Sequence, residues 1–264
     1  AQNITTLVKD TMIAEGLCEG MTYSFESPKV FDKLLIPADS KLRQTVTISN
    51  PLGEDFSVMR TVSINGILNS LSTNYNRRNE SAGIFEVARV YLPKAVPVTE
   101  LPDEIPTLTV GMYGKMDFYD IKGVVEHLMI VLGIGDRAEY TVETELSWMH
   151  PGRTAYVIID GVNVGYLGEL HPTVAKNYNI GTKVYLAVLN MEELIKASWV
   201  RGVYKNIWIE QFKKMSLLAY EKADMVTCLY DHAKDLQMEL GCPPEKIRVT
   251  PNCLLYTSPS PRDT

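Results

Sequence analysis

The chain has 264 residues, of which 45% are hydrophobic, enough to bury a core in one large domain or two ordinary ones. Its formal charge of -6 divides unevenly: 17 Lys+Arg against 24 Asp+Glu over residues 1 to 198, and 8 against 7 over 199 to 252. Neither part is therefore a basic protein of the kind that binds nucleic acid by bulk electrostatics. The four cysteines (Cys18, Cys228, Cys242, Cys253) form no CxxC, and the four histidines (His127, His150, His171, His232) form no HxxxH or HExxH; free thiols in a reducing cytosol and no metal site are expected.

Ile4, Leu7, Val8 and Met12 fall at helical spacing and predict an opening helix that stops at Gly16, a residue free to take the left-handed cap. The Lys and Glu within this helix, and the lack of any later run near roughly 18 uninterrupted apolar residues, predict neither an export signal nor a membrane anchor, hence a cytoplasmic chain. A strand is expected over Met21 to Glu26, and a second over residues 42 to 49, where Leu42, Thr45, Val46, Thr47 and Ile48 run into the Asn50-Pro51-Leu52-Gly53 turn. Val58, Val62, Ile64, Ile67, Leu68 and Leu71 outline an amphipathic helix, and GIFEVARVYL (83 to 92) reads as a strand whose charges, Glu86 and Arg89, need not share a face. Four prolines between Pro93 and Pro106 predict a surface loop, because proline offers no N–H to a ladder.

Leu108 to Tyr113 is the next predicted strand. Asp117 then caps a helix carrying Ile121, Val124, Val125, Leu128 and Leu132 on one face, closed by Gly133. In TAYVIIDGVNVGYLGEL, which begins at Thr154, Asp160-Gly161 separates two alternating runs and predicts an antiparallel hairpin. His171-Pro172 opens a short helix, and Val184 to Leu189 returns as a last strand. Hairpins interrupted by helices give an α+β fold.

Five blocks carry a family likeness: NPLGEDFSVMRTVSINGILNSL (50 to 71), GIFEVARVYLP (83 to 93), FYDIKGVVEHLMIVLG (118 to 133), HPGRTAYVIIDG (150 to 161) and VGYLGELHPTVAKNYNI (164 to 180). In this order they resemble the catalytic-like core of bacterial phenylalanyl-tRNA synthetase beta subunits, over nearly all of residues 1 to 198. The resemblance implies a class II synthetase fold, an antiparallel sheet flanked by helices. It also implies that catalysis, with its ATP and magnesium, belongs to a partner alpha subunit.

A working site of this class ends its second motif in an arginine, whose guanidinium stabilises the negative charge that develops on the carboxylate and α-phosphate. By the resemblance that position is Leu92 here. The arginine of the third motif is replaced by His171 or Pro172 in GYLGELHPT, and Arg60-Thr61 is followed by Val62 and Ile64 where active relatives place polar groups. No catalytic, cofactor-binding or metal-binding residue is therefore expected on this chain, which is read as a scaffold. Gly16, Leu17 and Cys18 leading to Met21 resemble the first motif, whose role is subunit contact. Leu7, Met12, Leu17 and Met21 are thus candidate interface residues, with internal core as the alternative. The Val58 to Leu71 helix is placed either beside them or in the core. For tRNA contact the candidates are Arg77 and Arg78, a basic doublet, and Arg153 in HPGRTA, with a nearby carboxylate as its alternative partner. Glu126 and His127 lie in a predicted helix without a paired carboxylate and are not read as acid or base.

From residue 199 the chain changes character. YKNIWIEQFKKMSLLAYEKAD and ELGCPPEKIRVTPN resemble a retaining GT-B glycosyltransferase of the exopolysaccharide-synthesis group over 199 to 252. The pattern is helix (203 to 220), strand (Met225 to Leu229), helix (231 to 240) and strand (Lys246 to Thr250), a βαβ-type fragment. Cys253 stands where the resemblance implies glycine after Pro251-Asn252, and no sugar-nucleotide-binding domain follows, so donor binding and transfer are not expected. A fragment of this size without its partner strands is expected to pack loosely. CLLYTSPSPRDT (253 to 264) has no periodicity and resembles a translated sequencing adapter. Three segments are predicted, 1 to 198, 199 to 252 and 253 to 264, joined as an assembly artefact.

Overall fold

A computed structural model describes residues 2–198, 202–228 and 231–250, with the backbone alone for residues 2–3 and 202–209. The expectations for Leu229, Pro251, Asn252, Cys253 and the 253 to 264 tail lie outside the described residues. The chain divides into two compact units, Ala1–Trp199 and Val200–Thr264.

The first unit opens with α1 (Gln2–Ala14), which ends as predicted at Gly16, φ +81°. β1 (Cys18–Glu19) follows, and of the expected strand over Met21 to Glu26 only β2 (Phe25–Glu26) forms, before the single-turn helix α2 (Val30–Lys33). No strand forms over residues 42 to 49. Lys41–Arg43 is a 3-10 turn, and Thr47 makes only an isolated bridge to Val58, because no neighbouring strand offers this segment a continuous ladder. The predicted helix from Val58 also starts later. Val58–Met59 is β3, paired antiparallel to β2, and α3 runs Ile64–Asn76.

Next come β4 (Ala82–Leu92), β5 (Asp103–Tyr113), α4 (Phe118–Val131), β6 (Ala138–Val142), β7 (Met149–Ile159), β8 (Val162–Leu170), α5 (Pro172–Asn177), β9 (Val184–Asn190) and α6 (Met191–Ser198). Asp117 caps α4 in a reciprocal capping box with Asp120. Asp160 and Gly161 both take positive φ, +50° and +79°, which closes the β7–β8 hairpin with Ile159 opposite Val162. Pro106, expected in a loop, lies in β5 opposite Arg89. The ladder tolerates it because β9 begins to pair only at Thr107, so the proline sits where β5 has one neighbour.

Seven strands form one sheet in the order β1-β4-β5-β9-β8-β7-β6, antiparallel throughout except where β1 runs parallel to β4. The sheet is thus mixed rather than purely antiparallel. Central strand β9 shows why its sequence is almost continuously apolar: Tyr185, Ala187 and Leu189 pack toward α1, α4 and α6, while Val184, Leu186 and Val188 pack toward α3 and α5. On the second face Ile64, Ile67, Leu68 and Leu71 press α3 onto β5 so closely that a Cβ at Gly111 would stand 2.5 Å from the Ile67 Cγ2. Helices therefore cover the central strands on both sides.

In the second unit α7 (Gly202–Lys222), β10 (Val226–Cys228), α8 (Asp231–Glu239) and β11 (Ile247–Val249) follow the predicted order, and β10 and β11 pair in parallel. Its core is small: Cys228, Cys242 and Ile247, with Tyr220, Val226, Ala233, Met238 and Val249 partly buried around them.

Candidate subunit-docking site

The four candidate interface residues divide by burial. Met12 is fully buried and Leu17 is 6% exposed, both in the core with Val8 and Phe85, so neither reaches the surface. Leu7 is 40% exposed and Met21 94%. Met12 and Leu17 thus take the internal-core alternative: α1 lies on the sheet and turns Met12 inward, while the chain after β1 leaves the sheet before Met21. The Val58 to Leu71 segment is in the core through Val58, Val62, Ile64, Ile67, Leu68 and Leu71.

Beyond Met21 the exposed apolar surface continues. Tyr23 stacks on Phe25 at 6.2 Å between ring centres and meets Phe56 edge-on at 5.8 Å, with Leu52 exposed nearby in sequence. These rings border a cleft of about 490 Å3 whose lining also includes Glu26, Asn65, Asn69 and Lys33. Glu26 is 4% exposed. Its Oε2 accepts a hydrogen bond from Asn65 Nδ2 at 3.1 Å, whereas its Oε1 is buried without a donor. Burial pushes the carboxyl up to about 7, against the smaller opposing effects of Asn65 and the Arg60 charge. Sequence reasoning missed Glu26 and Asn65. The available signal was an amide at the start of an otherwise apolar helical face, at position 65.

The positions compared with catalytic arginines carry none. Leu92 pairs opposite Asp103 at the end of β4. His171 caps α5, its Nδ1 accepting from the Thr173 N–H, and Pro172 is the first helical residue. A second strand-to-helix passage, from β9 into α6, reads VYLAVLNMEELIKAS and also lacks arginine. Arg60, 3% exposed, is held through two of its nitrogens: Nη1 lies 3.3 Å from Glu86 Oε2 and 3.0 Å from Thr22 Oγ1, and Nε donates to the Arg89 carbonyl at 2.8 Å. The cavity beside it is about 270 Å3, below the roughly 300–1,000 Å3 of ordinary ligand pockets. Among the described residues no three His, Cys, Asp or Glu side chains gather to hold a metal ion. Glu126 pairs with Lys122, and His127 with Glu15.

Arg77 and Arg78 are exposed just past α3, and Arg78 lines a cleft of about 870 Å3 with Lys115. Arg153 instead donates to Glu169 at 2.7 Å, taking the carboxylate partner that the sequence left open. Among the described residues no helix is long and apolar enough to cross a membrane.

Residues 1–191 match the family described as the phenylalanyl tRNA synthetase beta chain CLM domain, and residues 188–245 match a domain of unknown function. The chain is 44% identical over 204 residues to the phenylalanine–tRNA ligase beta subunit of Clostridium acetobutylicum and 43% identical over 204 residues to that of Clostridium tetani. Each alignment covers 77% of this chain and 26% of the relative, so the chain spans about a quarter of the curated relatives it matches. Among solved structures, the pyrrolysyl-tRNA synthetase of Desulfitobacterium hafniense shares the fold with a TM-score of 0.59 at 16% identity, covering 74% of this chain and 67% of the other.

Proposed function

Because the chain belongs, through residues 1–191, to the phenylalanyl-tRNA synthetase beta chain CLM domain family, we propose that residues 1 to 198 are a non-catalytic structural core of a phenylalanine–tRNA ligase beta subunit. In this reading the core supports an alpha subunit that charges tRNA with phenylalanine using ATP and magnesium in the cytoplasm. One observation carries the non-catalytic part: the guanidinium buried beside the sheet, Arg60, is already consumed by Glu86 and the Arg89 carbonyl, and Leu92 offers no replacement. A preorganised cation facing developing charge is the main electrostatic means such a reaction has, and a committed arginine does not supply it.

Co-expression of the full chain with a clostridial alpha subunit, followed by size exclusion, tests the scaffold reading. Co-elution is expected, and separate elution refutes it. Phenylalanine-dependent pyrophosphate exchange by the chain alone is expected to be absent; measurable exchange overturns the non-catalytic assignment. tRNA contact through the exposed Arg77 and Arg78 belongs to the same reading, and their replacement by Ala is expected to lower tRNA retention by the alpha–beta complex.

For residues 199 to 252 the proposed origin is a fragment of a sugar-nucleotide-dependent GT-B glycosyltransferase. The parallel β10–α8–β11 arrangement supports it. Stabilisation of the full chain by a sugar nucleotide would favour glycosyl transfer over the scaffold role. A long read across the codons for 190 to 260 tests the splice and the adapter-like tail, and a contiguous genomic match refutes both.

A further inference from the structure

The cleft around Glu26 has the features of a site awaiting a donor. A carboxyl removed from water keeps its charge only when donors replace the lost hydration, and Glu26 has one, Asn65 Nδ2. The neighbouring groups are otherwise occupied. Asn65 Oδ1 accepts from Tyr178 Oη at 2.8 Å and from Asn69 Nδ2 at 3.1 Å, and Arg60 pairs with Glu86. Lys33, on the cleft wall, lies 5.5 Å from the centre of the Tyr178 ring and makes no ion pair with Glu26. The remaining charged group at the cleft is Asp55, a second anion. The same cleft is lined by the Tyr23, Phe25 and Phe56 rings, whose faces attract cations, and by the exposed Met21.

We infer that this cleft receives a cationic side chain of the alpha subunit, an ammonium or guanidinium group, with Glu26 as its counter-ion and the Tyr23, Phe25 and Phe56 rings as its walls. The inference rests on the beta-subunit-core reading. The complementarity is of charge and of surface together. Carboxyl groups at floor and rim call for a cation, and the exposed apolar rim calls for a macromolecular face that covers Met21 and Tyr23, which a small solute would leave wet. An arriving cation favours the ionised form of Glu26, so docking releases a proton. The charged and titratable groups around it are Arg60, Lys33, Asp55 and Tyr178, and no histidine lines the cleft. With the free carboxyl titrating at about 7, affinity should rise roughly tenfold from pH 6 to pH 8.

The test titrates full-length wild type, Glu26→Gln and Tyr23→Ser against the clostridial alpha subunit at pH 6 and pH 8, with circular dichroism confirming each fold. Glutamine keeps the shape of the protonated acid, so a purely structural Glu26 would be replaced without effect. Expected are a wild-type affinity that tightens with pH, a loss of at least roughly tenfold in Glu26→Gln at pH 8, a flat pH response in that variant, and weakened binding by Tyr23→Ser. Wild type and Glu26→Gln binding with equal affinity and equal pH response would overturn the inference alone. A wild-type chain that binds no alpha subunit at either pH would overturn the scaffold reading and this inference with it. Stabilisation of wild type but not Glu26→Gln by methylammonium chloride over sodium chloride, with alpha affinity unchanged by the substitution, would assign the cleft to a small amine and overturn the partner.

Discussion

Without a partner, Glu26 should make the folded chain sensitive to pH in an unusual direction. Its unfolded carboxyl ionises near 4.5, while burial holds the folded one protonated up to about 7. Between these values folding takes up a proton. The stability associated with the group is therefore full below about pH 4.5, declines as pH rises, and is lost once the pH passes about 7. A separation of about 2.5 units at about 1.4 kcal/mol per unit gives about 3 kcal/mol, most of it appearing between pH 5 and pH 8. Glu26→Gln removes the titration while keeping the side chain's size and its contact with Asn65. Urea unfolding of both full-length chains at pH 5, 6, 7 and 8 should give similar stabilities at pH 5 and a variant more stable by about 2–3 kcal/mol at pH 8. Parallel pH profiles, or a variant weaker than wild type at pH 8, would refute the argument that burial without a donor governs this carboxyl.

Arg60→Met leaves the Glu86 carboxylate buried beside Thr22 with its cation removed, and should cost about 3–5 kcal/mol by urea unfolding at pH 7. Asp117→Ala removes the cap that accepts from the Tyr119 and Asp120 N–H groups, with an expected loss of about 1 kcal/mol and faster amide exchange in the first turn of α4. Gly111→Ala forces a methyl against Ile67 between α3 and β5 and should lower stability by about 1–3 kcal/mol, seen as an earlier thermal midpoint.

What the sequence disclosed was decided locally. Asp117 and Asp120 lie three residues apart, and Asp160-Gly161 carries its own positive φ values, so the α4 cap and the β7–β8 hairpin needed no distant partner to be predicted. Residues 42 to 49 show the opposite case. Their β-branched pattern is real, yet a strand requires a neighbour, and only Thr47 finds one in Val58. Val58 and Val62 fit a helical face, but Val58 pairs with Glu26 in β3, and α3 begins only at Ile64. Of the proposed docking cleft, Met21 was a candidate from the sequence, as an apolar residue just past the motif-like segment, whereas Glu26 was illegible, because its only donor, Asn65, and the Tyr178 hydroxyl on that amide lie far along the chain. Met12 was indistinguishable from a surface residue by spacing alone, since α1 could have turned either side toward the sheet, and Leu17, past Gly16, had no periodicity to place it.

The two rims of the sheet are finished differently. Along β4, the two-residue strand β1, the Gly20 N–H on the Phe85 carbonyl, the Tyr91 N–H on the Arg60 carbonyl and the Arg60 guanidinium on the Arg89 carbonyl together seal main-chain groups that would otherwise invite another strand. Among the described residues the opposite rim, β6, has β7 as its sole partner strand, and its last residue, Val142, is 81% exposed. If chains of this kind associate edge to edge through this sheet, they pair at residues 138 to 142, and one open rim per chain closes the association at two copies; one lysine on the outward face would be the economical way to stop it.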